Sequence, residues 1–233
     1  MIVSTYILWD IDGTLIYNNP QGGGLYVEAI TVVTGAAPTE RVPNPHGMTE
    51  GQLLTAILDV NGHDTALIDD VLVHLDRLSL EQHEAGSNPR EACNGAAEAI
   101  TRFAELGWTN ALLTGNGPNR SRYKLHAAGY DLDAFDWEHS YFGHEMPTRH
   151  HLTAGARDAL TGHHAFIIGD TPNDGLAADS AGMPFIAVAT GAYPASELRE
   201  TGAVLVIDDL ASGLDAVVAS ITQAVGAAAH SPG

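Results

Sequence analysis

The sequence has one cysteine, one lysine and few bases of any kind. Ten lysines and arginines face 29 acids in 233 residues, for a formal net charge of −19. Such a surface repels polyanions, so nucleic acid and anionic membranes are poor partners. A lone Cys93 excludes an internal disulfide and a cysteine metal cluster, and a single structural thiol fits a reducing compartment. No basic segment followed by an apolar run and a cleavage site opens the chain. No apolar stretch approaches the roughly 18 residues of a membrane span. A cytosolic protein is expected. Internal repeats and low-complexity tracts are missing too.

What is present is organised around residues 7–15, Ile-Leu-Trp-Asp-Ile-Asp-Gly-Thr-Leu. An apolar run over residues 2–9 reads as a buried strand that ends in Asp10 and Asp12, and Gly13 breaks it. On a straight strand acids at i and i+2 point the same way and repel. They need a cation, or a division of labour in which one stays protonated.

The length fits one large domain or one domain with an insertion, and 45% hydrophobic residues are ample for a core. After a Gly-rich hinge at residues 18–24, helices are expected near 25–34, from the capping signal Thr49-Glu50-Gly51-Gln52, and along the stripe Leu67, Ile68, Val71, Leu72, Leu75 and Leu78. Residues 16–91 carry no strand pattern and read as an all-helical insertion. From Asn94, expected as an N-cap, helices alternate with apolar strands at 108–113, 165–170, 184–189 and 203–207. Residues 135–142 read as irregular and the tail 226–233 as frayed. This alternation implies an α/β fold with a doubly wound parallel sheet. The core is residues 1–15 and 92–233, and the insertion is 16–91.

Three strands end in polar residues: Asp10 with Asp12, Thr114, and Asp170 with Asp174. In a parallel sheet these ends share one edge, where open α/β sheets bind ligands. A solitary acid there reads as a turn former or helix cap. Four carboxylates suit a hard cation, and Mg²⁺ fits best because it keeps waters for a phosphate substrate. The histidine pairs at 150/151 and 163/164 lack the ligand spacing of a metal site.

The motifs Asp10-Ile11-Asp12-Gly13-Thr14, Leu113-Thr114-Gly115-Asn116 and Gly169-Asp170-Thr171-Pro172-Asn173-Asp174 resemble those of the haloacid dehalogenase superfamily. The helical insertion is similar to the cap of its phosphoglycolate phosphatases and β-phosphoglucomutases. The resemblance implies Asp10 as nucleophile and Asp12 as general acid and base. It implies Mg²⁺ on Asp10, the Asp12 carbonyl and Asp170, with Asp174 supporting the metal or orienting a base. Thr114, Gly115 and Asn116 would bind the phosphoryl group. In the cap, Thr49 and Glu50 resemble a substrate-binding stretch in which Glu50 replaces an Asp, and His46 and Arg41 are the other polar candidates of the cap.

Relatives usually place a lysine before the strand that ends at Asp170. Here Arg149 is expected in that role, with Arg157 as the weaker candidate, and Lys124 is expected on a solvated helix face. With no lysine in the cap, phosphonate cleavage through a Schiff base is disfavoured, and Asp12 argues against dehalogenation. The expected activity is Mg²⁺-dependent hydrolysis of a small phosphate monoester, by a monomer or homodimer. A phosphomutase and a catalytically silent binding protein are the alternatives.

Overall fold

The computed structural model describes residues 3–19 and 23–229. Six strands form one sheet: β1 (Thr5–Trp9), β2 (Thr109–Thr114), β3 (Tyr141–Phe142), β4 (His164–Gly169), β5 (Phe185–Val188) and β6 (Leu205–Ile207). Every pairing is parallel and the order is β3-β2-β1-β4-β5-β6. The doubly wound α/β expectation is met. β3 lies in the segment expected to be irregular, and its two residues are too short for any periodicity.

β1 is central and wholly buried, as its unbroken apolar run requires when helices cover both faces. Ile7 and Trp9 point to one face, with Ile100 and Phe103 of α4 (Ala96–Glu105), Leu125 of α5 (Pro118–Ala127), and Val217 and Ile221 of α9 (Leu210–Ala229). Tyr6 and Leu8 point to the other. There they meet Leu152 of α6 (Arg149–Ala159), Ala178 of α7 (Pro172–Ala181) and Leu198 of α8 (Ala195–Leu198). The buried Trp9 indole donates to Asn110 Oδ1 at 2.9 Å, and the Asn110 amide donates to the Ile100 carbonyl at 3.0 Å. Both polar groups are thus satisfied inside the core.

Trp9 lies opposite both Leu112 and Ile168. The carboxyl ends of β1, β2 and β4 therefore stop at one edge, where the strand order reverses, and Asp10, Thr114 and Asp170 follow there.

Between β1 and α4 lie α1 (Gly24–Thr34), α2 (Glu50–Val60) and α3 (Ile68–Glu84). They bury an apolar cluster of their own, including Ile30, Leu54, Leu58, Val71 and Leu75. Among the described residues of this segment only Ile16 forms a bridge, to Asp12 and Ala92. Thr49 caps α2 by accepting from the Gln52 N–H, as its spacing predicts. The start of α2 is laid on the sheet edge, where the Glu50 N–H donates to the Gly115 carbonyl at 2.8 Å. A Cβ on Gly115 would fall 2.4 Å from the Met48 carbonyl oxygen, so only glycine permits this approach. Glu50 is buried. It accepts from Arg120 Nε at 2.5 Å, the Gly117 N–H at 2.7 Å and the Tyr26 hydroxyl at 3.3 Å.

Three expectations are corrected. Gly95, at φ 77°, occupies the N-cap of α4 instead of Asn94, because the start of α9 packs 2.2 Å from where a Cβ would stand. Residues 226–229 continue α9 instead of fraying, while 230–233 lie outside the described residues, as do Gln21 and much of the hinge. The stretch Leu210–Ala228 does reach the length and hydropathy of a membrane span. Leu210, Leu214, Val217, Val218, Ile221 and Val225 supply most of that hydropathy, and all six pack against the core of the sheet.

Removing one member of a buried ion pair strands the other. Glu50→Ala is expected to destabilise the protein by about 3–5 kcal/mol in denaturant unfolding. A loss below about 1 kcal/mol would show that the pair does not secure α2.

Candidate active site

Asp10 extends the ladder of β1 by one bond, its N–H donating to the Ile168 carbonyl at 2.9 Å. The chain then turns through Gly13, at φ 91°. The turn separates the two acids, which therefore do not point the same way. Asp10 Oδ1 accepts from Arg149 Nη2 at 3.2 Å. Asp12 Oδ2 faces the opposite wall, accepting from Lys124 Nζ at 2.5 Å and Asn116 Nδ2 at 2.8 Å. Asp10 lines the cleft, and no side chain among the described residues hydrogen-bonds its Oδ2.

Asp10, Asp170 and Asp174 are buried and bring one carboxylate oxygen each within 4.8 Å of the others. Asp170 Oδ1 accepts from the Thr14 hydroxyl at 3.3 Å. Its other oxygen lies in a cradle that a side chain would fill. A Cβ would come within 2.2 Å of it at Gly13 and 1.6 Å at Gly191. Asp174 belongs to the capping box of α7, with Oδ2 accepting from the Thr171 N–H and hydroxyl at 3.2 and 2.8 Å. Its Oδ1 pairs with Arg149 Nη2 at 2.7 Å. The same Nη2 donates to the Leu113 carbonyl at 2.7 Å.

Arg149 is the one cation against these three carboxylates. Burial pushes Asp10 up to about 7, against the pull of Arg149 and with Asp174 and Asp12 adding to the rise. Burial, reinforced by Asp10 and Asp174, also lifts Asp170 well above the carboxylate range. The excess negative charge, the all-oxygen donor set and the glycine cradle fit a divalent hard cation. Asp12 differs. Burial raises it, but the charge and hydrogen bond of Lys124 outweigh that and bring it to about 2.

The four expected acids thus divide. Three gather around Arg149, and the Asp12 carboxylate lies outside that group. Arg149 stands where it is expected, whereas Arg157 is exposed. Thr114 is fully buried at the end of β2, its hydroxyl accepting from Asn116 Nδ2 at 2.8 Å, while Gly115 and Asn116 line the cleft. Lys124 is corrected, since it is mostly withdrawn from solvent and bonded to Asp12 and Asn116. Its helical spacing from Arg120 is the signal that both face inward. Thr49 and Glu50 are corrected as phosphate ligands. The Thr49 hydroxyl donates to the Met146 carbonyl at 2.6 Å, and the Glu50 carboxylate is taken up by Arg120, Tyr26 and Gly117.

The cleft between the sheet edge and helices α1 and α2 has a volume of 850 Å³. Asp10, Asp12, Asp170 and Arg149 line its floor, and Arg41, His46 and Arg90 stand above them.

The profile of the haloacid dehalogenase-like hydrolases matches residues 5–182. No curated protein matches the sequence. Among solved structures, a hydrolase from Pseudomonas syringae superposes with a TM-score of 0.65 at 21% identity, covering 91% of this chain and 96% of that one. A predicted phosphoglycolate phosphatase from Haemophilus somnus gives 0.66 at 20%, covering 93% and 99%. A candidate β-phosphoglucomutase from Bacteroides vulgatus gives 0.64 at 18%, covering 94% and 91%. At these identities the likeness is one of fold. The profile spans most of the chain and all three motifs, so the chain belongs to the haloacid dehalogenase-like hydrolases.

Proposed function

We propose that the protein is a Mg²⁺-dependent phosphatase that hydrolyses a small phosphate monoester through an aspartyl-phosphate on Asp10. One observation carries this reading. Asp10 is held through one oxygen by Arg149, while no side chain among the described residues claims its other oxygen and the residue lines the cleft. A nucleophile needs that combination of fixed orientation and an unencumbered lone pair.

In the first step Asp10 Oδ2 attacks phosphorus, and the bond from phosphorus to the ester oxygen breaks. The leaving oxygen takes a proton from Asp12, which draws on Lys124 for it. Water then attacks the phosphoryl group on Asp10, the bond from phosphorus to Asp10 breaks, and the proton of that water returns to Asp12. The backbone N–H groups of Gly115 and Asn116, close to the start of α5, and the Thr114 hydroxyl hold the transferring oxygens. Arg149 keeps Asp10 aligned and offsets charge on the equatorial oxygens. Asp10, the Asp12 carbonyl and Asp170 would hold Mg²⁺, with Asp174 fixing Arg149 beside them. The ion would let a carboxylate approach an anionic phosphate. The helices of the insertion act as a cap that keeps bulk water from the site. The partner in this reading is a small phosphorylated metabolite.

Four outcomes are expected. A phosphate-ester panel with Mg²⁺ shows turnover, and Asp10→Asn lowers kcat by about 10⁴-fold or more. Turnover of a bisphosphate-primed sugar phosphate into its isomer, without phosphate release, would point to a mutase. Arg149→Ala loses about 2–4 kcal/mol of transition-state stabilisation in kcat/KM, as one preorganised donor does. Undiminished activity in that variant would place the clamp elsewhere. Mg²⁺ raises the melting temperature of the wild-type protein, and Asp170→Asn abolishes that rise, since a ligand stabilises only the fold that binds it. An equal rise in both proteins would remove Asp170 from the metal site.

A further inference from the structure

Five of the ten bases of this acidic chain line the one large cleft: Arg41, Arg90, Arg120, Lys124 and Arg149. Three are already matched to carboxylates. Arg149 pairs with Asp10 and Asp174, Lys124 with Asp12, and Arg120 with Glu50. Arg90 is not. It makes no hydrogen bond or ion pair among the described residues, and its Nε is shielded from solvent without a partner. Yet it is partly buried, and its field reaches Asp12. A desolvated guanidinium without a carboxylate is costly.

Its place is not accidental. Arg90 precedes Glu91 and Ala92, which meet Tyr17 and Ile16 through a backbone bond of 2.9 Å and a bridge. Ile16 in turn bridges Asp12. This small ladder ties Arg90 to the same turn that presents the two acids. Arg120 and Lys124 both repel it, so a retreat towards α5 meets positive charge.

We infer that Arg90 is a specificity-determining residue that binds a second anionic group of the substrate, a carboxylate or a second phosphate on the part remote from the reacting ester. The inference rests on the phosphatase reading and narrows its substrate class. Guanidinium forks match both anions in two-point geometry. A substrate whose ester lies at Asp10 extends into the cleft under the cap, where Arg90 is the partly buried cation that nothing else neutralises. Arg41 also lines the cleft but is exposed, and a cation in water discriminates little.

The test uses matched pairs in Mg²⁺. 3-Phosphoglycerate against glycerol 3-phosphate isolates a carboxylate, and fructose 1,6-bisphosphate against fructose 6-phosphate isolates a second phosphate. The wild-type kcat/KM is expected to favour the charged member of one pair by about 10- to 100-fold, the range of a hydrogen bond to a charged group. Arg90→Ala should bring that ratio near one and leave the member without the second anion within about 3-fold, while Arg90→Lys recovers part of the preference. Thermal shift of the Asp10→Asn protein with the same esters reads binding apart from turnover. Turnover with no charge preference, or with equal loss on both members in Arg90→Ala, overturns the inference and leaves the phosphatase standing. Arg90-dependent binding of the charged ester without turnover of any ester overturns the phosphatase and leaves the anion site standing. Neither binding nor turnover overturns both.

Discussion

The structure of the site follows from a charge imbalance. Three buried carboxylates, Asp10, Asp170 and Asp174, share one guanidinium, that of Arg149. Burying even one unpaired charge is expensive, so the fold has to hold this group together by other means. The capping box of α7 takes one oxygen of Asp174, and Thr14 takes one of Asp170. Gly13 and Gly191 stand aside for the other oxygen of Asp170. Arginine suits the central position because it stays charged when desolvated, where a lysine would shed its proton more readily. Its Nη2 reaches two carboxylates and the last carbonyl but one of β2, which ties the ends of β1 and β2 and the start of α7 to α6. The remaining negative charge is the demand a divalent cation meets.

The opposite wall obeys the same logic with the signs balanced. Lys124 neutralises Asp12, and Arg120, one helical turn earlier on α5, neutralises Glu50 at the start of α2. A single helix therefore carries both the residue that docks the helical insertion and the residue that sets the protonation of Asp12. Tyr26 of α1 and Ser79 of α3 complete the shell around Arg120, so all three inserted helices bear on it. The ion pair that docks the insertion and the one that holds Asp12 thus share α5, with about 6 Å of helix between Arg120 and Lys124.

What could be read from the sequence was local in origin. The apolar run of β1, the acids at its end and the Gly-Asp-x-x-x-Asp of β4 and α7 each need only neighbours within a few residues to be understood. Arg149 was found by its place before β4. The misread side chains turn on partners far along the chain. Lys124 reads as solvated because lone lysines are seldom buried, and its partner lies 112 residues away. Glu50 reads as a ligand for substrate, but Arg120 claims it from 70 residues away. Asn94 loses the cap to Gly95 because α9, more than a hundred residues later, occupies the space. The two residues of β3 carry no periodicity at all.

The cations also show where so acidic a chain has room for an anion. A net charge of −19 would keep phosphate esters away if it were spread evenly. It is not, because half of the bases border one cleft. Repulsion from the outer surface is screened over roughly 10 Å at 0.1 M salt, whereas charges within a partly enclosed cleft act at low dielectric. Outside, the acids govern solubility and approach. Inside, the bases govern what is held. Of those bases, the three that are paired shape the machinery, and the partly buried one left unpaired, Arg90, is the one with charge to spare for a ligand.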